Sequence, residues 1–146
     1  MKLLTLEQIV FYHFLEKEDV LHEIARLAER LGLADGNIYP DLKKREEEYS
    51  TAIGHGIAIP HAKTNRIKIP ALILIKNDDV IDWSGDAVDT VIAILTPDTQ
   101  AGVHLTILSR LSRKLMHQEF RERLTGTQTK EEVLDLFQLV EEESNE

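Results

Sequence analysis

Three of the six histidines stand where an imidazole could do chemistry: His55, His61 and His104. Pro60 fixes the backbone φ just before His61 and removes one backbone donor. Residues 57–59, Ile-Ala-Ile, are typical of a short buried strand. His61 is therefore predicted to be held at the end of a stiff buried element, as a reactive group requires. The alternative is a buried histidine whose ring bonds a backbone carbonyl.

His104 is predicted to lie in the first turn of a helix. Ile107, Leu108 and Leu111 follow it at spacings i+3, i+4 and i+7, so His104 shares their buried face. Because the helix dipole favours negative charge near this end, His104 could help to hold an anion. The alternative is a core histidine that bonds a neighbouring group.

Arg45 is the third candidate, on a charged helix. From its own sequence context, a solvated ion-pair face is the default explanation for Arg45. Three further cations after His61 form a basic island and are interpreted as solvated: Lys63, Arg66 and Lys68. Among the remaining histidines, His22 and His117 are predicted to be solvated, and His13 to be half-buried among aromatic residues.

Other chemistries find little support, and neither a cofactor nor a metal is expected. The sequence contains no cysteine, which excludes disulfides, thiolate nucleophiles and Cys-ligated metals. The spacing of His55 and His61 does not match a zincin, and Gly54-x-Gly56 lacks the third glycine of a dinucleotide-binding turn. Neither a Walker A sequence nor a Gly-x-Ser-x-Gly elbow is present.

Composition narrows the class of protein further. The 146 residues suit one domain, 1–146, with 42% hydrophobic residues to form its core. The 17 Lys and Arg against 26 Asp and Glu give a net charge of −9, which argues against binding nucleic acid or an anionic membrane. No apolar run approaches the roughly 20 residues that span a bilayer. A cytoplasmic location without membrane insertion is expected.

The elements that must position these residues are helices at both ends with strands between them. Thr5 with Gln8 suggests a capping box and a short first helix, and residues 9–15 are a strand or the end of that helix. From Lys17 onward, apolar residues at helical spacing predict a helix that ends at Gly32. A more polar helix is predicted over 37–48.

The middle of the chain is typical of buried strands. Residues 71–75 and 88–95 are apolar runs bounded by turn residues, including the pair Asp78-Asp79. A helix is predicted to begin near 99–102, and a last helix at the capping box of Thr129 with Glu132. Residues 141–146 are expected to be frayed and without function. This order predicts an α/β fold in which helices cover a central sheet.

The motif around His61 resembles the signature of enzyme IIA domains of the mannitol/fructose type. These domains belong to the phosphoenolpyruvate-dependent sugar phosphotransferase system, and nitrogen-regulatory relatives share the pattern. The matching residues are Arg45-Glu46, then Thr51-Ala52-Ile53-Gly54-x-Gly56-Ile57-Ala58-Ile59-Pro60-His61, and later His104-Leu105-x-x-Leu108-Ser109. Ala52 departs from the glycine common in the family, and His55 occupies a variable position.

The resemblance implies a phosphotransferase that works through a phosphohistidine. His61 would accept a phosphoryl group on Nε2 from the histidine-containing phosphocarrier protein and pass it to a IIB component. His104 would orient His61 or bond the phosphoryl oxygens, and Arg45 would supply charge. The implied fold is a mixed β-sheet flanked by α-helices on both sides. The alternatives are a nitrogen-regulatory IIA that controls a target protein, and a degenerate domain that only binds partners; the sugar stays open.

Overall fold

A mixed β-sheet forms the centre of the computed structural model, which describes residues 2–142. Its strands within that range are β1 Ile9–Tyr12, β2 Ala52–Gly54, β3 Ile57–Ala58, β4 His61–Lys63, β5 Ala71–Trp83 and β6 Asp86–Thr96. They lie in the order β1-β5-β6-β3-β2, and β4 also pairs with β6. The pairs β1–β5, β3–β6 and β4–β6 are parallel, whereas β5–β6 and β2–β3 are antiparallel.

Helices cover both faces of this sheet. The helices are α1 Lys17–Arg30, α2 Tyr39–Glu48, α3 Ala101–Leu115, α4 Gln118–Gly126 and α5 Lys130–Glu141, with a short 3₁₀ helix at Leu6–Gln8. The first two pack on one face and the last three on the other, which gives two separate apolar cores. The prediction of an α/β fold with a mixed sheet flanked on both sides is confirmed.

Strand β5 shows why its sequence is a continuous apolar run. Ile73 and Ile75 belong to the core under α1 and α2, whereas Leu72 and Leu74 belong to the core under α3, α4 and α5. Successive side chains of a strand point to opposite faces, so a strand covered on both faces must be apolar at every position.

The two central strands extend beyond their predicted bounds. Asp78 and Asp79 were expected to end a strand, but β5 continues through them to Trp83. Residues 78–80 are exposed, and the pairing with β6 shifts register between Lys76 and Ile81. The hairpin turns at Ser84 and Gly85, both with positive φ. The apolar pattern is interrupted at the aspartates because residues 78–80 are exposed, and Ile81 and Trp83 then return to the core under α1 and α2.

The two predicted capping boxes behave differently. Thr129 Oγ1 accepts from the backbone N of Glu132 at 3.1 Å, and the Glu132 carboxylate accepts in return from the Thr129 backbone, as predicted. Thr5 Oγ1 instead donates to the Gln8 side chain at 2.8 Å and caps no backbone group. The segment after it forms only the 3₁₀ helix, and β1 resolves the open choice for residues 9–15 in favour of a strand.

Glu141 corrects the expectation of a frayed C-terminal tail. It is the last residue of α5 and is buried. Its carboxylate accepts from the backbone N of Leu3 at 2.6 Å and of Leu4 at 2.9 Å. Glu141 therefore joins the two ends of the described chain, and residues 143–146 lie outside the described residues.

Candidate functional site

His61 is the first residue of β4, and its backbone is fixed on both sides. The Pro60 carbonyl accepts from Ile94 N at 2.9 Å, and His61 lies opposite Ile94 in the parallel pairing with β6. Further upstream, Gly54, His55 and Gly56 all have positive φ. Glycine adopts this conformation without the steric cost that other residues incur, so it suits the tight turn from β2 into β3. Sheet pairing and turn together position the imidazole.

His104 reaches the same place from helix α3. It lies in the first turn of α3, which follows directly on β6. Its Nδ1 is 2.7 Å from Oγ1 of the buried Thr96, the last residue of β6. The ring centroids of His104 and His61 are 5.3 Å apart, and each residue is 9% exposed. The structure therefore brings together the two histidines that the sequence places 43 positions apart (104 − 61).

A cleft of about 410 Å³ opens over the two histidines. Its lining residues are Asp41, Lys44, Arg45, Glu48, His61, Lys63 and His104. Three cations and two carboxylates thus surround the imidazoles, so the cleft has a local positive balance although the chain carries a net charge of −9. An anion entering the cleft meets cations at short range, while distant surface carboxylates are screened by salt.

Arg45 is held at the rim of this cleft by the residues that end α2. Its Nη1 donates to the carbonyl of Tyr49 at 2.9 Å, and its Cζ lies 4.7 Å from the centre of the Tyr49 ring. The hydrogen bond and the cation–π contact hold the guanidinium, and no carboxylate within residues 2–142 forms an ion pair with it. The structure therefore brings the three candidates Arg45, His61 and His104 together in one cleft.

Burial and neighbouring charge keep the His61 imidazole neutral. Desolvation, together with His104 and Arg45, lowers the pKa of His61 from 6.5 to about 4. Desolvation and the charge of Lys63 lower the pKa of His104 as well. At pH 7 only about one His61 ring in a thousand is protonated, so nearly every molecule has a nitrogen lone pair available.

The hydrogen bonding of the His61 Nδ1 atom differs from expectation. The sequence suggested a hydrogen bond from one ring nitrogen to a backbone carbonyl. Instead, Nδ1 is buried and has no hydrogen-bond partner among residues 2–142. Since Nδ1 is enclosed by protein while the residue lines the cleft, Nε2 is the nitrogen that faces an incoming group.

Acid should destabilise the fold through His61. The unfolded chain protonates this residue below its ordinary pKa of 6.5, whereas the folded protein resists protonation down to about 4. Stability is therefore lost as pH falls from about 6.5 towards 4, by up to about 3 kcal/mol at 1.36 kcal/mol per pKa unit. We expect urea unfolding to show that the free energy of unfolding falls by about 2 kcal/mol less in His61→Gln than in wild type between pH 7 and pH 4.5.

His22→Gln is the matched control for this comparison, because His22 is exposed on α1, where its ring stacks on Tyr39. Its acid loss should equal that of wild type. An equal acid loss in His61→Gln and wild type would contradict the lowered pKa of His61.

The other histidines lie away from the cleft. His22, His55 and His117 are exposed, in agreement with the solvated interpretation of His22 and His117. The His13 side chain is 53% exposed, close to the half-buried expectation, but it contacts Asp78 of the β5–β6 hairpin. The hairpin extension that the sequence did not reveal supplies this partner.

Lys63 is a cleft cation whose place in the site the sequence did not reveal. It was grouped with Arg66 and Lys68, which do form surface ion pairs with Asp41 and Asp35. Lys63 instead lies two residues after His61 in β4, on the same side of the strand. Strand alternation from His61 is the signal that could have separated Lys63 from the other two.

A larger cavity of about 790 Å³ lies elsewhere, and none of its lining residues is shared with the cleft. Within residues 2–142, no three histidine or carboxylate side chains converge to hold a metal ion. No helix in the described range has the length and apolar run needed to cross a membrane.

Comparisons with known proteins agree with this geometry. A fructose-specific EIIA component from Haloferax volcanii is 40% identical over 101 residues, 66% of this chain and 64% of that protein. The nitrogen regulatory protein IIA-Ntr of Neisseria meningitidis is 27% identical in sequence, with a TM-score of 0.83 over 90% of this chain and 94% of that one. The mannitol IIA of Escherichia coli, solved with phosphorylated IIB, has a TM-score of 0.80 at 20% identity, over 92% of this chain and 96% of that one.

The chain spans between 20% and 64% of the length of the first three curated relatives that it matches. A family model covers far more of the chain itself, matching residues 2–139 of the 146. The cleft with its two histidines lies wholly inside the matched range. The chain therefore belongs to the EIIA 2 family of the phosphoenolpyruvate-dependent sugar phosphotransferase system.

Proposed function

We propose that this chain is a phosphocarrier in which Nε2 of His61 takes a phosphoryl group from the histidine-containing phosphocarrier protein and passes it to a IIB component. The observation that carries the proposal is the pairing of His61 with His104 in a cation-lined cleft. Family membership supports the chemistry, and a IIA protein of the same fold binds phosphorylated IIB.

The transfer step needs only the groups in the cleft. The lone pair of His61 Nε2 attacks phosphorus as the bond between phosphorus and the donor's imidazole breaks, and the bonding electrons stay with that imidazole. The neutral state of His61 supplies the lone pair without prior loss of a proton. Because phosphoryl transfer depends on in-line placement and charge stabilisation, the cleft contributes position and positive charge.

Arg45, Lys63 and His104 each have a part in this proposal. Arg45 and Lys63 offset the charge on the phosphoryl oxygens. When the Thr96 hydroxyl donates to Nδ1 of His104, the proton of that ring lies on Nε2, which can then donate to a phosphoryl oxygen. His104 thus stabilises the transferred group without accepting it.

Phosphoryl incorporation tests the proposal directly. Incubation with phosphoenolpyruvate and the two general upstream proteins should add the mass of one phosphoryl group, located on His61 by peptide mapping. The label should be acid-labile and stable in alkali, as expected of a phosphorus–nitrogen bond. A label on another residue, or no label, would refute the assignment.

A regulatory role is the second candidate, favoured by the likeness to IIA-Ntr over 94% of that chain. Transfer from the phosphorylated protein to fructose- and mannitol-type IIB components separates the two roles. Turnover with either IIB component supports sugar transport, whereas a phosphoprotein that neither discharges supports control of a target protein. The expected cytoplasmic location and the single-domain organisation stay predictions.

A further inference from the structure

Glu46 is a buried carboxylate in a helix whose sequence resembles a solvated face. It is 6% exposed, although it lies within the charged run of residues 43–48. Its Oε2 accepts from Thr51 N at 2.8 Å and from Trp83 Nε1 at 3.0 Å, and its Oε1 accepts from Thr51 Oγ1 at 2.7 Å. Three donors from two segments, one adjacent to α2 and one in β5, therefore converge on one side chain that does not itself line the cleft over His61.

The hydrogen bonds of Glu46 lead to the strand that carries His61. The carbonyl of Thr51 accepts from Ile59 N at 3.0 Å. Ile59 immediately precedes Pro60 and His61, and the fixed φ of proline leaves little freedom between them. The position of Thr51 thus bears on the position of the imidazole.

The Glu46 carboxylate also affects the position of Arg45. The guanidinium donates to the carbonyl of Tyr49, in the short segment that leaves α2. Glu46 fixes that segment from inside by holding Thr51, two residues beyond Tyr49. The positions of Arg45 and of the His61 imidazole therefore both depend on the buried Glu46 carboxylate.

We propose that Glu46 is a positioning residue for phosphoryl transfer, because its carboxylate holds Thr51 and so sets Arg45 and His61 relative to each other. This inference rests on the proposed function for its kinetic consequence. It adds a residue that touches neither the phosphoryl group nor a partner protein.

Glu46→Leu removes the acceptors and keeps a side chain that fills the space. Transfer from saturating phosphorylated carrier should slow about 10- to 100-fold, since displacements near 1 Å at a reacting centre have effects of this size. The KM for the carrier should stay within about 2-fold, because Glu46 is buried away from any docking protein.

Two variants separate positioning from general loss of packing. Trp83→Phe removes one donor from Oε2 while the contacts to Thr51 stay, so its transfer rate should remain within about 2-fold. Glu46→Gln should also transfer within about 3-fold: its amide oxygen accepts from Thr51 N and Trp83 Nε1, and its amide nitrogen donates to Thr51 Oγ1. Equal slowing in Glu46→Leu and Trp83→Phe would overturn the proposal.

A proton NMR titration of His61 makes the test independent of transfer. In Glu46→Leu, the measured pKa of His61 should rise towards 6.5 as the cleft loosens, whereas in Trp83→Phe it should match wild type. An unchanged titration in folded Glu46→Leu would overturn the positioning role. A wild type that accepts no phosphoryl group would refute the proposed function, and the titration would still decide the role of Glu46.

Thr51→Val is the test variant to use if Glu46→Leu does not fold. It removes only the hydroxyl donor and keeps the backbone bond to Glu46. Its His61 pKa should rise and its transfer rate should fall about 3-fold. Wild-type values for both would contradict the proposal.

Discussion

Replacement of His61 by alanine should abolish phosphoryl incorporation, because the variant lacks the nitrogen that forms the bond to phosphorus. Alanine leaves His104 and the cations in place, but none of them is expected to substitute. Protonated amines have no lone pair, and Nδ1 of His104 is occupied by Thr96. Intact-protein mass spectrometry after incubation with phosphoenolpyruvate and the upstream proteins should show no added mass, a loss of more than about 10³-fold in rate.

His55→Asn is the matched control, since His55 lies in the turn just before β3 and is exposed. Its φ of 60° is one that asparagine tolerates, so the turn should keep its shape. This variant should be phosphorylated at the wild-type rate. Normal labelling of His61→Ala, or loss of labelling in His55→Asn, would move the acceptor away from His61.

The sequence predicted the elements of the fold that carry strong periodic patterns. Helix α1 and its stop at Gly32, the two central strands and the capping box of α5 follow from local signals. Helix α4 was missed because only Phe120 and Leu124 of its nine residues are buried. Two apolar residues one turn apart do not establish a helical period.

Strand β1 shows a second limit of local patterns. Its four residues could equally have ended a helix, and only Ile9 among them is buried. What makes the segment a strand is its parallel pairing with Leu74–Asn77 of β5, more than 60 positions along the chain (74 − 9 = 65). No short window of sequence contains that information.

The candidate site was predicted through the resemblance of its motif more than through the chemistry of its residues. Taken alone, Arg45 had a solvated ion-pair face as its default interpretation, and Glu46 lies next to it in the same charged run. Glu46 is in fact buried, and the Trp83 indole donates to it from the far end of β5. The burial of Glu46 beside Arg45 is therefore a matter of tertiary contacts between α2 and the β5–β6 hairpin, which no local pattern contains.

Replacement of His104 by alanine should slow phosphoryl transfer by about 10²-fold while the label stays on His61. The variant keeps the acceptor nitrogen but loses the Nε2–H that we assign to a phosphoryl oxygen. Loss of one such preorganised donor costs about 10²- to 10³-fold in rate in other enzymes, and Arg45 and Lys63 remain to offset charge. Rapid-quench measurement of transfer from the phosphorylated carrier gives the rate directly.

Glutamine at position 104 sharpens this test, because its amide N–H can reach towards the place of the imidazole Nε2–H. His104→Gln should recover a large part of the rate that His104→Ala loses. Thr106→Ala, on the exposed side of α3 where its hydroxyl donates to the Gly102 carbonyl, should transfer as wild type. Transfer by His104→Ala within 2-fold of wild type would show that His104 contributes packing to the cleft and no donor to the phosphoryl group.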